Sequence, residues 1–210
     1  MQFETQRLIV RDWQPTLDAR HAMDIFGDAQ VMDWVEGGVK DGSMRQVQGR
    51  LQRYEEQAKR SKNGTQSWAV VQKDIGRVIG NMVLCLLPDM QEVREQHEPE
   101  PIKGGMATEY IEIGWHFRPS SWGFGYATEA AFCIAQHAFD SLGLSVLLTV
   151  TRSDNVRSAA VAKKLGMRYD GMTTRCYGGK PLSLYVLTAA TLESAREKWL
   201  EERRFIDRSR

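Results

Sequence analysis

The segment that most constrains the chain is Trp122-Gly123-Phe124-Gly125-Tyr126-Ala127, with an alternating stretch ending at Phe117 before it and a helical pattern after it. A strand that passes through Gly-x-Gly into a helix has few ways to fold. Glycines let the backbone approach a ligand closely, and the free N–H groups of a helix's first turn point at an anion. Alone, the turn is equally compatible with a tight connection that binds nothing. It lacks the third glycine and the downstream acid of a dinucleotide fold, and the Gly-Lys-Ser/Thr of a P-loop.

The flanking pattern places this turn in a mixed α/β chain. Residues 7–13 alternate as a short strand, and Pro15 opens a helix that Gly27 ends. A polar helix with a thin apolar stripe (Val47, Leu51, Tyr54, Ala58) runs over about 43–62. Residues 67–71 and 77–84 read as a hairpin across Lys73-Asp74-Ile75-Gly76. The polar stretch 89–108 reads as a long loop rather than a domain linker. Residues 110–117 (YIEIGWHF) form a strand, 128–139 a helix, 145–151 a nearly all-apolar and hence central strand, and 155–165 a helix stopped by Gly166. Residues 167–175 and 182–187 are late strands around Gly178-Gly179. Leu192, Ala195, Trp199 and Ile206 share a stripe, which predicts a docked terminal helix. The order is a strand, two helices, antiparallel strands, then β-α-β-α-β-β, with no internal repeat.

Composition excludes several classes of function. With 210 residues, 42% hydrophobic, residues 1–210 can bury one core and are read as one domain. A net charge of +1, from 28 basic and 27 acidic residues, gives no reason to expect nucleic acid as a partner. No apolar run approaches the ~18–20 residues of a membrane span. The N-terminal MQFETQRLIVRDW carries charges where a secretion signal needs apolar residues, so a cytoplasmic protein is expected. Cys85, Cys133 and Cys176 and the four histidines are scattered, so neither a metal site, a disulfide nor a Ser-His-Asp triad is indicated.

The stretch EIGWHFRPSSWGFGYATEAA and the later VTRSDNVRSAAVAKKLGMRYDG together closely resemble the GNAT acyl-CoA N-acetyltransferase superfamily. ETQRLIVRDW and IGNMVL resemble its RimJ/RimL-type branch, whose members acetylate protein N-termini and other amines. The resemblance covers about Phe3 to Leu187. It implies a central, mostly antiparallel splayed sheet flanked by helices, with acetyl-CoA as acyl donor, no metal, and a small-molecule amine or protein N-terminus as acceptor. It also assigns roles. The strand from Glu112, through Trp115, His116 and Phe117, pairs its backbone with pantetheine. The amides of Trp122, Gly123, Phe124, Gly125, Tyr126 and Ala127, leading into Thr128, hold the pyrophosphate. Asn155 bonds the pantetheine arm, and Ser158 lies near the cofactor sulfur. Two departures stand out: Ser120 replaces the usual Arg or Gln before the turn, and Ala162 occupies the place of the tyrosine that protonates the leaving thiolate.

Chemistry narrows the catalytic candidates. A thiol of pKa ~8.5 leaves readily near neutral pH, so a general acid is helpful rather than essential. Ser158 or a water can hydrogen-bond the developing sulfur charge. Freeing the attacking amine costs roughly 4–5 kcal/mol for a lysine-like group and about 1 for an α-amine at pH 7, so a base helps. Glu112 is the leading candidate for that base, Glu109 the second and His116 the third; each has an alternative reading as a structurally paired strand residue. Trp115, Phe117 and Trp122 are candidates for an acyl-pocket wall or for core. Arg157, Lys163 and Lys164 are candidates for the 3′-phosphate or for a solvated face. The expected function is acetyl transfer from acetyl-CoA to a primary amine by direct attack in a ternary complex. The competing reading, prompted by Ala162, is a non-catalytic acyl-CoA-binding module. The acceptor and the oligomeric state, a homodimer included, stay open.

Overall fold

Antiparallel neighbours dominate the sheet because most connections along the chain are hairpins or short excursions. The computed structural model describes residues 1–35, 38–61, 63–87 and 110–208. Its strands are β1 (Gln2–Glu4), β2 (Leu8–Asp12), β3 (Gln66–Gln72), β4 (Arg77–Leu86), β5 (Ile111–Phe117), β6 (Val146–Thr151), β7 (Arg168–Thr173) and β8 (Leu182–Thr188). They form one eight-stranded sheet in the order β1-β2-β3-β4-β5-β6-β8-β7. Every neighbouring pair is antiparallel except β5 and β6. The mostly antiparallel mixed α/β fold implied by the sequence is the one observed.

The helices are α1 (Pro15–Phe26), α2 (Ala29–Met32), α3 (Met44–Arg60), α4 (Tyr126–Asp140), α5 (Val156–Lys164) and α6 (Ala189–Arg208). α1 and α3 cover one face of the sheet, where Ala22, Ile25, Phe26, Val47 and Leu51 pack on Ala69, Val71 and Val78. α4 and α6 cover the other. The small residues Ala130, Ala131, Ala135 and Ala138 of α4 are fully buried beside Ile134, which lets this helix lie close to Trp68, Ile79 and Ile113. Leu192, Ala195 and Trp199 dock α6 on the same core, with Trp199 5.4 Å from Phe132. Ile206 and the 89–108 stretch, with Glu109, lie outside the described residues and side chains. Among the described residues no helix is long and apolar enough to cross a membrane.

Two elements lack a sequence signature. β1 is three residues long, too short for alternation to register, and it adds to the edge through Phe3 opposite Val10. α2 is a single turn whose Asp28 cap accepts from the Gln30 amide at 2.7 Å.

The feature that shapes the site is the seam between β5 and β6. β5 is laddered to β4 along its whole length, from Ile111 opposite Leu86 to Phe117 opposite Gly80. Against β6 it has one registered pair, Glu112 with Leu148. Thr149 Oγ1 adds a bond to the Ile113 carbonyl at 2.6 Å. Beyond that point the parallel strands part toward their C-terminal ends.

Candidate active site

A cleft of about 500 Å³ opens where β5 and β6 separate. Its walls come from β5, β6, the Gly-rich turn, the start of α5, and the segment around α2. Open α/β sheets hold ligands at such parted strand ends.

The turn forms one end. Gly123 and Gly125 have φ of +83° and +78°, a backbone region costly to residues with a Cβ. Gly125 is the N-cap of α4 and has no side chain to cap it, so the first N–H groups of this 15-residue helix keep their anion-binding capacity. Trp122 is pinned by its indole N–H to the Phe117 carbonyl at 2.7 Å. The Arg157 guanidinium stacks on its ring at 4.7 Å.

The turn is held from behind by the N-terminal segment. Glu129, buried in the first turn of α4, accepts from Thr5 Oγ1 at 2.6 Å, from the Arg7 amide at 2.9 Å and from Arg7 Nε at 2.7 Å. Arg7 also donates to the Phe124 carbonyl at 3.0 Å and lies over the Tyr126 ring at 4.4 Å. Arg203 of α6 reaches the same carbonyl at 3.4 Å. The Phe124 carbonyl is therefore occupied by arginines on the outside of the turn. The Phe124 ring is exposed, stacks on Tyr126, and does not line the cleft.

The remaining expected donor-side residues converge. Trp115, His116, Phe117, Trp122, Gly123, Gly125, Tyr126, Ala127, Thr128, Asn155 and Ser158 all border the cleft. Asn155 Oδ1 caps α5 by accepting from the Ser158 amide at 3.1 Å, and the residue borders the cleft. Arg157 and Lys164 border the cleft; Lys163 does not. Ala162 is fully buried in the core.

The opposite end is built from side chains. Glu112 is buried, and the cost of desolvating its charge pushes its carboxyl up to about 7. Tyr177 O–H donates to Glu112 Oε2, the Val150 amide reaches Oε1 at 3.5 Å, and the Cys85 thiol lies 3.9 Å from Oε2. Burial, then the facing Glu112, push the Cys85 thiol up to about 12 and hold the Tyr177 hydroxyl above its ordinary range. Both are therefore protonated donors at neutral pH. Gln30, Val31, Trp34 and Val35, in and after α2, complete this wall. Arg152 lies over the Trp34 ring at 4.5 Å.

Tyr177, Cys85 and the α2 segment are functional neighbours that sequence reasoning missed. The available signal is the dipeptide turn Gly178-Gly179. Tyr177 precedes it with φ of +49°, the one non-glycine among the described residues with positive φ. His116, a candidate base, has its Nδ1 engaged by Asn81 at 3.2 Å. Burial and the Arg50 charge push its pKa down to about 4, away from the range suited to accepting a proton. Among the described residues no group of three His, Cys, Asp or Glu is placed to hold a metal ion.

The family described as acetyltransferase (GNAT) domain matches residues 7–168. The uncharacterised N-acetyltransferase YnaD of Bacillus subtilis (strain 168) is 26% identical over 181 residues, 84% of this chain and 88% of that protein. A GCN5-related N-acetyltransferase from Brucella melitensis superposes with a TM-score of 0.71 at 19% identity, over 96% of this chain and 84% of that one. The ribosomal-protein-S5-alanine acetyltransferase from Vibrio fischeri superposes with a TM-score of 0.66 at 17% identity, over 90% and 96%. With most of its length matched by the family, its fold shared with these structures and its cleft at the parted strands, the chain belongs to the GNAT acetyltransferases, a family that uses acetyl-CoA.

Proposed function

We propose that this protein, acting as a single domain in the cytoplasm, transfers the acetyl group of acetyl-CoA to a primary amine by direct attack in a ternary complex. The observation that carries this reading is the position of Glu112. A buried carboxyl with its pKa at about 7 sits at the last paired position before β5 and β6 part, in the same cleft as the Gly-rich turn. A base is most effective when its pKa lies near the working pH.

The pyrophosphate rests on the amides at the start of α4, and the pantetheine arm runs between β5 and β6 toward Glu112. Asn155 Nδ2 bonds the arm, and Ser158 faces the sulfur. The acceptor enters beside α2. Its amine loses a proton to Glu112 and attacks the thioester carbon, while backbone N–H groups of β5 polarise the carbonyl. Collapse of the tetrahedral intermediate expels the thiolate, and the proton still carried by the attacking nitrogen passes through a Ser158-ordered water to the sulfur, leaving a neutral amide and a free thiol. Tyr177 holds the carboxylate oriented. Neither a covalent intermediate nor a metal enters this scheme. The Vibrio fischeri neighbour is named for acetylating an alanine of a ribosomal protein, which favours a protein amine as one acceptor class.

The test is release of free thiol from acetyl-CoA against a panel of small amines and N-terminal peptides. Acetyl-CoA-dependent turnover that Glu112→Gln slows at least about 10²-fold, with cofactor binding intact, is the expected result. Tight acetyl-CoA binding with no turnover of any amine would replace the enzyme by a binding module.

A further inference from the structure

Asn81, fully buried at the middle of β4, holds two rings through one side-chain amide. Trp13 Nε1 lies 3.0 Å from its Oδ1, and its Nδ2 lies 3.2 Å from His116 Nδ1. An indole N–H is only a donor, so the amide oxygen of Asn81 must face Trp13 and its NH₂ must face His116. His116 Nδ1 therefore accepts, and the neutral ring carries its proton on Nε2. A protonated ring would set two donors against each other across that 3.2 Å contact. Among the described residues the charge acting on the ring is the Arg50 guanidinium of α3, a like charge itself paired with Asp41 at 2.7 Å. Glu112 shares the strand face but lies two alternate positions away.

The placement of this fixed donor matters. Glu112, Gly114 and His116 alternate onto one face of β5 and all border the cleft. Gly114 is required there, since a Cβ would lie 2.8 Å from Val83 Cγ1. The face is thus a carboxyl and an imidazole flanking an open floor, about 13 Å apart along the strand at ~3.3 Å per residue.

We propose that His116 is a specificity-determining residue that offers its Nε2–H to an uncharged oxygen, a carbonyl or hydroxyl, carried several atoms beyond the acceptor's amine, at the reach the ~13 Å strand spacing leaves once each end is hydrogen-bonded. Trp13 and Asn81 are the positioning pair that locks the donor tautomer. The selected class is peptide N-termini and other amines that carry an oxygen at that reach, over polyamines. A second ammonium at that place would meet a donor with no lone pair to offer. This inference rests on the reading of the cleft as an acetyl-CoA and amine site.

Two measurements test it. In protein labelled with ¹⁵N-histidine, His116 should show a protonated Nε2 and a bare Nδ1, with no titration between pH 5 and 9. A ring that titrates in that window, or carries its proton on Nδ1, overturns the lock. In Asn81→Asp, a carboxylate facing Nδ1 should reverse the tautomer and bring the titration into the window. For the acceptor role, the probes are alanylglycinamide and alanine propylamide, which share the α-amine and the first carbonyl and differ in the second. The wild type should prefer alanylglycinamide at least tenfold in kcat/KM. His116→Ala should erase that preference through acceptor KM, and His116→Gln, which keeps a donor, should restore most of it. An unchanged preference in His116→Ala overturns the proposal. Failure of the underlying reading looks different: the wild type turns over no amine whatever tautomer the ring shows, and the acceptor role falls with it.

Discussion

At the Gly-rich turn the groups proposed to hold the ligand are main-chain amides, whereas around Glu112 they are side chains brought from β4, β5 and the 177–179 turn. The first end is contiguous in sequence and buttressed by the Thr5, Arg7 and Glu129 cluster. The second draws on Cys85, Glu112 and Tyr177, separated by up to 92 positions, and its properties come from burial. Backbone amides keep one geometry and one charge state, so the turn grips without titrating. The Glu112 cluster titrates near neutrality because a carboxyl was taken out of water with only partial compensation.

The comparison breaks first at Glu112. Glu112→Gln should lower kcat about 10²–10⁴-fold, the range of a lost general base, with acetyl-CoA Kd unchanged by titration calorimetry. The same variant should be more stable at pH 8. The carboxyl rises from 4.5 to about 7 on folding, so the folded state keeps a proton that the unfolded chain releases. Wild-type stability therefore falls as pH climbs through that window, by roughly 3 kcal/mol, and the glutamine variant is spared that loss. Equal melting temperatures at pH 8 would contradict the burial argument.

Arg7→Ala is the counterpart at the donor end. It strands a buried carboxylate, which costs about 3–5 kcal/mol when one partner of such a pair is removed. Thermal denaturation should show the drop, acetyl-CoA Kd should rise about tenfold, and kcat at saturation should hold. Next in size is Tyr177→Phe. The tyrosine's hydrogen bond lowers the Glu112 pKa, so its loss should move the acid limb of kcat/KM to higher pH and slow the reaction severalfold at pH 7. A limb that stays in place would remove Tyr177 from the cluster. The smallest effect is expected at Gly123→Ala. Space around it is open, so only the positive φ is paid for, about 1–2 kcal/mol. Gly125→Ala should cost more, because Arg203 Nη1 lies 3.1 Å from the new Cβ.

The same contrast explains what could be read from the chain. Gly-x-Gly between a strand and a helix states its own geometry, and every long periodic element was legible. The packing of Ala130, Ala131, Ile134 and Ala138 follows directly from their helical spacing. Glu112 was legible as a candidate because alternation gives its face, and the family resemblance suggests its role. Tyr177 was not, since nothing near it in sequence says that the 177–179 turn folds over β5. The one-turn α2 also carries no period to detect, yet it borders the cleft. Ala162 reads as a missing hydroxyl by resemblance of motifs; the residue is buried in the core and does not border the cleft, and the donors nearest Glu112 come from another segment altogether.

The single registered pair between β5 and β6 has a further consequence for the sheet itself. Past Glu112 and Leu148, each strand presents an unladdered edge to the other, an internal counterpart of the exposed edges that sheets usually protect. A pantetheine arm lying there would act as a surrogate strand, and its departure would reopen the gap. The β6-facing amides of β5 should then exchange with solvent deuterium faster than those facing β4, and slow when acetyl-CoA is bound. Ligand occupancy would be recorded as hydrogen-exchange protection at the centre of the sheet, where an uninterrupted ladder would show none to gain.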